Sequence, residues 1–163
     1  MYKKILVPLD GSELAECVLP HVDAFISGCQ VDTIVLARVI EPPQITARGA
    51  YSPSEMDLQK IEENVKAIEE DRRDRAQEYL DGISKRFARP GINIQTEILV
   101  GKTADKLIGY TEANEVELIL IATHGRSGVS RWVRGSIADR ILRAASIPVL
   151  MVRAPGTASD KKD

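Results

Sequence analysis

Two kinds of hydrophobic repeat take turns along this chain. Short, mainly apolar runs, KKILVPL at 3–9, TIVLARVI at 33–40, INIQTEILV at 92–100, ELILIA at 117–122 and PVLMVR at 148–153, are rich in β-branched residues and predict five strands. Between them the apolar positions recur every three or four residues. Leu14, Val18, Val22 and Phe25 predict one helix over residues 13–26, with Ser12 as its N-cap. Leu58, Ile61, Val65, Ile68, Ala76, Leu80, Ile83 and Phe87 predict a long helix over residues 55–88. Arg72 interrupts that stripe and is read as snorkelling, its stem along apolar surface and its head in water. A third helix is expected over residues 104–113, and a fourth from near Gly135. Glu41-Pro42-Pro43 ends the second strand, since proline gives no donor to a ladder, and residues 42–53 are then a loop.

Strands alternating with helices imply right-handed crossovers and a mostly parallel sheet covered on both faces. Such sheets bind ligands outside the carboxyl ends of their strands, where the winding reverses. Asp10 follows the first strand, and ATHGRSGVSRWVRGS, residues 122–136, joins the fourth strand to the fourth helix. Both stretches fall where a ligand site is expected. The 42–53 loop, with few anchoring residues, lies on the same side and is expected to order over a bound ligand.

With 163 residues, 44% of them hydrophobic, the chain suits one domain, 1–153, followed by a small polar tail, 154–163, expected to be flexible. The formal net charge of −2 excludes broad electrostatic binding of nucleic acid or anionic membrane, so any anion has to be caught locally. In MYKKILVPLD the apolar run meets Asp10 too early for a secretory h-region, and no run reaches the length of a membrane span. Cys17 and Cys29 read as buried small side chains in a reducing compartment, which makes the expected location cytoplasmic.

The glycines and arginines of 122–136 can be given a chemistry. A helix N-terminus offers unpaired N–H groups and a partial positive charge, so Gly135-Ser136 at the start of the fourth helix suits a phosphate. Gly125 and Gly128 allow close approach of backbone amides, and Arg126, Arg131 and Arg134 supply charge. On spacing alone, an ordinary βα connection with solvated arginines is an equal reading. Rival motifs fail on particular positions. Gly101-Lys102-Thr103 lacks the earlier P-loop glycine, position 96 being Thr96. Asp10-Gly11-Ser12 is no dinucleotide fingerprint, and Ser127 has no nucleophile elbow because Val129 follows Gly128. His21 and His124, the two histidines, are in no ligand-spaced cluster, so no metal ligand is assigned.

From Ala122 to Arg153, and more loosely over residues 1–153, the chain resembles the universal stress protein family, in its UspA-like, ATP-binding branch. The family signature is G-x-x-G, nine residues, G-[ST]; here Gly125 is the second glycine, Arg126 to Arg134 the nine residues, and Gly135-Ser136 the closing pair. Ala122 stands in place of the first glycine. VPLDGS, ARVIEP and IPVLMVR extend the likeness. The resemblance implies an open five-stranded parallel sheet in the order 3-2-1-4-5, of the adenine nucleotide alpha hydrolase-like kind. It implies that Pro8, Leu9 and Asp10 line an adenosine pocket, that Val39 meets adenine, and that Gly125, Arg126, Gly135, Ser136 and the Ile137 amide meet phosphates. Ala122, Thr123, His124, Ser127 and Gly128 belong to the same loop. ATP, with Mg or Mn, is the implied cofactor, and a stress-response regulatory role the implied function. No residue is assigned as a general base or in-line nucleophile. The alternatives are slow ATP hydrolysis, with Asp10 and His124 near a metal and the phosphates, and a dimeric module without nucleotide. The fifth strand, Val149-Leu150-Met151-Val152, is an apolar edge in this order, and the resemblance points to a homodimer through it.

Overall fold

The computed structural model describes residues 2–42, 55–123 and 137–154, with the side chains of 55–58 excepted. Residues 43–54, which take in all of the expected loop but Pro42, and all of 124–136 lie outside the described residues. The predicted strands form as β1 (Lys4–Pro8), β2 (Thr33–Ile40), β3 (Asn93–Val100), β4 (Leu118–Thr123) and β5 (Val149–Arg153), in one sheet of order β3-β2-β1-β4-β5. Every pairing is parallel.

The helices are α1 (Glu13–Glu16), α2 (Leu19–Gly28), α3 (Glu55–Phe87), α4 (Thr103–Ala113) and α5 (Ile137–Ala144). They divide between the faces as the pleat dictates. Ile5, Val7 and Leu9 of the first strand segment, with Ile34 and Leu36, pack against Ala15, Leu19, Val22, Leu80, Ile83 and Phe87 of α1, α2 and α3. Leu6, Val35, Ala37 and Ile119 pack on the other face against Ala104 and Leu107 of α4 and Ala138 and Ile141 of α5. The central strands are therefore buried on both sides, which is why they read as continuous apolar runs rather than as alternating ones.

Three features depart from the sequence expectation. The single helix over 13–26 is broken into α1 and α2. Ser12 caps it as expected, its Oγ accepting from Ala15 N at 3.1 Å, but Pro20 has no N–H for the Glu16 carbonyl and the chain tightens through Cys17 and Val18. The long helix forms, yet its stripe is core only from Ala76 onward; Ile61 and Ile68 are exposed. Arg72, also exposed, reaches the Glu41 carbonyl through Nη1. Cys29 is exposed rather than buried, and Cys17 is half-buried, with burial raising its thiol pKa.

Ala154, the first residue of the expected tail, is buried and donates to the Thr123 carbonyl at 3.0 Å, so it packs with the domain. Residues 155–163 lie outside the described residues. No helix among the described residues is long and apolar enough to cross a membrane.

Candidate functional site

The winding reverses at β1, which has β2 on one side and β4 on the other. Leu9 N–H donates to Ala37 O of β2, whereas Lys4 O accepts from Glu117 N on the β4 side. Residues two apart in a strand point their backbone groups the same way, so position 8 faces β4. Pro8 has no N–H to give there. The β1–β4 pairing accordingly covers only Ile5↔Leu118 and Leu6↔Ile119, while β4 continues to Thr123. The proline thus ends one ladder at the carboxyl edge, the edge at which α/β sheets take ligands.

The β1–β2 ladder runs to Pro8↔Ala37, so Asp10 leaves β1 beside the end of β2 near Val39, while Thr123 ends β4. Alternation puts Val39 and Thr123 on the α4–α5 face, and Val39 does pack there, half-buried. Asp10, past the end of β1, is exposed, and its charge acts on Tyr79 on the α3 side. Leu9 and Ala122 fall on the opposite face. Leu9 is buried in the core below α1 and Ala122 packs against that core, so each can offer a ligand backbone groups only. Pro8 is half-buried, and Ile137, the first residue of α5, is exposed. His124, Gly125, Arg126, Ser127, Gly128, Gly135 and Ser136 lie outside the described residues.

Asp10 is held by its own turn. Its Oδ1 accepts from Ser12 N at 2.9 Å and from Ser12 Oγ at 2.6 Å, which leaves Oδ2 without a hydrogen bond among the described residues. Gly11 turns the chain with φ +86°, and the Arg38 guanidinium lies over it: a Cβ at Gly11 would sit 3.2 Å from Arg38 Nη1. Arg38 also stacks over the Tyr79 ring at 5.5 Å, and Tyr79 donates to Glu16 Oε1 at 3.1 Å. Desolvation first, then the Glu16 charge, pushes the Tyr79 pKa well above its ordinary value, so the phenol stays a donor. The expected effect of Gly11→Ala is a loss of about 1–2 kcal/mol from the left-handed backbone alone. Urea unfolding with an unchanged midpoint would show that this turn does not constrain the chain.

Arg38 escaped the sequence reading although a lone charge inside TIVLARVI was the available signal. Glu41 escaped it too. Glu41 Oε1 accepts from Thr103 Oγ1 at 2.8 Å and from Thr103 N at 3.2 Å, and the hydroxyl, then the amide, hold its pKa below the usual carboxylate value. The N-terminus of α4 is thereby capped by the chain's own carboxylate, which agrees with rejecting Gly101-Lys102-Thr103 as a phosphate loop.

A groove of about 450 Å³ lined by Lys3, Lys4, Asp32, Thr33, Glu115, Val116 and Glu117 opens at the amino edge of the sheet. It mixes both signs of charge and lies at the wrong end of the strands for this class of site.

The sequence model of the Universal stress protein family matches residues 1–153. The chain belongs to the universal stress protein family. Universal stress protein MJ0577 of Methanocaldococcus jannaschii is 27% identical over 157 residues, covering 94% of this chain and 96% of its own. The solved structure of MJ0577 superposes with TM-score 0.74 at 26% identity, over 96% of this chain and 99% of that one. Two more distant members share the fold: a universal stress protein in complex with cAMP (TM-score 0.52, 18% identity, 94% and 98% coverage) and an Arabidopsis thaliana member with AMP bound (TM-score 0.56, 12% identity, 99% and 97% coverage).

Proposed function

We propose that this universal stress protein is a regulatory protein that binds an adenine nucleotide, ATP in the first instance, at the carboxyl edge of β1, β2 and β4. The observation that carries the reading is the reversal of winding at β1, where Pro8 ends the ladder to β4 and Asp10 and Val39 leave adjacent strands at the carboxyl edge. Val39 supplies an apolar wall for the base. Asp10, with Oδ2 open, supplies an acceptor for a nucleoside hydroxyl or amine. Phosphates extend toward Gly125, Arg126, Gly135, Ser136 and the Ile137 amide, where α5 begins. The AMP and cAMP complexes of proteins with this fold support an adenine nucleotide as the ligand class.

Mg or Mn would accompany the triphosphate. Among the described residues no group of three or more His, Cys, Asp or Glu side chains converges, so the ion would be held chiefly by phosphate oxygens, with Asp10 as the acidic side chain nearby. The chain's own residues bind and orient the nucleotide, and among the described residues none is assigned as a general base. We further propose a homodimer through β5, whose edge position and 40% exposed Leu150 leave it open to a second copy.

Calorimetric titration with ATP, ADP, AMP and cAMP tests the binding reading. Ala122→Gly is expected to bind ATP equally well or more tightly, because Ala122 keeps an extended strand backbone and needs no glycine freedom. A clear loss of affinity in that variant would mean that the methyl, packed on the core under α1, helps to shape the loop.

A further inference from the structure

We propose that Arg38 is a positioning residue of the nucleotide site and acts through Asp10, a role that rests on the nucleotide reading. Asp10 is exposed, past the end of β1. Its bonds to Ser12 N and Oγ join it to its own turn and not to the sheet. Between those two residues lies Gly11, the residue type with the widest backbone freedom, here at φ +86°. The direction of the carboxylate therefore depends on what holds the turn.

Arg38 is the group that touches it. A Cβ at Gly11 would lie 3.2 Å from Arg38 Nη1 and 3.5 Å from both Cζ and Nη2, the three nearest atoms among the described residues. Arg38 is rooted in β2, which is laddered to β1 on one side and to β3 on the other. Its neighbours two and four residues back, Leu36 and Ile34, pack toward α3, and on that side the Tyr79 ring meets the guanidinium at 5.5 Å. Tyr79 is fixed in turn by its hydrogen bond to Glu16 Oε1, while Glu16 Oε2 pairs with Arg86 at 3.7 Å. Burial first, then Glu16, raises the Tyr79 pKa; Asp10 adds to the rise and Arg38 opposes it, which places all three groups in one cluster with Tyr79.

Among the described residues Arg38 forms no hydrogen bond or ion pair, so packing on the ring and on the turn sets its place. A planar guanidinium suits that task, since it stacks on a ring as the compact, strongly hydrated ammonium of lysine does not. Without the fork, Asp10 keeps its bonds to Ser12 but swings with Gly11. The open Oδ2 then loses its fixed direction toward the ligand.

Calorimetric titration of the full chain with ATP tests this. Arg38→Met is expected to weaken ATP binding about tenfold at unchanged circular dichroism, and Arg38→Lys, which keeps the charge, by nearly as much. Tyr79→Leu, which removes the ring, should follow, whereas Tyr79→Phe keeps the ring and should bind as the wild type does. The deciding background is Asp10→Asn, whose amide presents a donor where the open acceptor was. There is then no acceptor left to aim, so adding Arg38→Met to Asp10→Asn should cost less than about twofold. Should Arg38→Met fail to fold, Arg38→Lys carries the same comparison. Wild-type affinity in folded Arg38→Met or Tyr79→Leu, or a full tenfold loss again in the Asp10→Asn background, would overturn the proposal and leave the nucleotide site standing. No ATP binding by the wild type would overturn the site and the proposal together.

Discussion

Gly135→Val is expected to lower ATP affinity by at least about a hundredfold while the protein stays folded. Helix α5 begins at Ile137, so Gly135 and Ser136 lead into its first turn, where amides have no partner within the helix. A phosphate held there accepts charge-assisted hydrogen bonds from those amides and gains from the helix dipole. A valine at the approach puts two branched methyl groups where phosphate oxygens have to come close. The fold should survive, because α5 is anchored below that point by buried Ala138 and Ile141. Calorimetry on a variant with unchanged circular dichroism checks the result. Wild-type affinity in the folded variant would remove this helix start from the site.

Leu150→Lys is expected to convert a two-chain assembly into a single folded chain by light scattering. Strand β5 pairs with β4 along its length, Ile119↔Val149 through Thr123↔Arg153, and its other edge has no neighbour among the described residues. A twofold axis would pair that edge with its own copy, antiparallel and self-complementary. Val149 and Met151 pack on the α4–α5 side, whereas Leu150 is the exposed apolar member of the strand. Lysine there would bring its ammonium into the contact, opposite its own twofold mate, at the expense of desolvation and like-charge repulsion. Assembly of unchanged affinity in Leu150→Lys and again in Val152→Lys would place the interface on the helical faces.

Much of the architecture could be read from the chain because its signals are local. Apolar runs marked the five strands, and the alternation of strand and helix marked the parallel sheet with two covered faces. The strand order came from resemblance, since nothing in one run says which other run lies beside it. The break at Pro20 was also a local signal, but Leu14, Val18, Val22 and Phe25 keep helical spacing across it and masked it. The upper stripe of α3 misled for a different reason. Ile61, Val65 and Ile68 have the spacing of a core face, and periodicity identifies a face without saying what covers it. Helix length against strand length was the missing comparison: 33 residues of α3 outrun the eight of β2 and β3.

For the proposed site, Asp10 and Val39 were named by resemblance to a motif and Thr123 only as a member of the loop. That Asp10 and Val39 leave adjacent strands follows from the β1–β2 register, which the chain does not reveal residue by residue. Pro8 had been read as pocket lining; the register gives it the further role of ending the β1–β4 ladder. Arg38, over Gly11, and Glu41, on Thr103, act across 27 and 62 positions of sequence respectively, and no local pattern anticipates such contacts.

The most direct test of the central claim is calorimetric titration of nucleotide-free protein with ATP. Single-site binding that Asp10→Ala and Gly135→Val each weaken strongly, at unchanged circular dichroism, is the result expected if the carboxyl edge of β1 and β2 and the start of α5 form one nucleotide site. No heat of binding from ATP, ADP, AMP or cAMP on the folded, nucleotide-free wild type would contradict it.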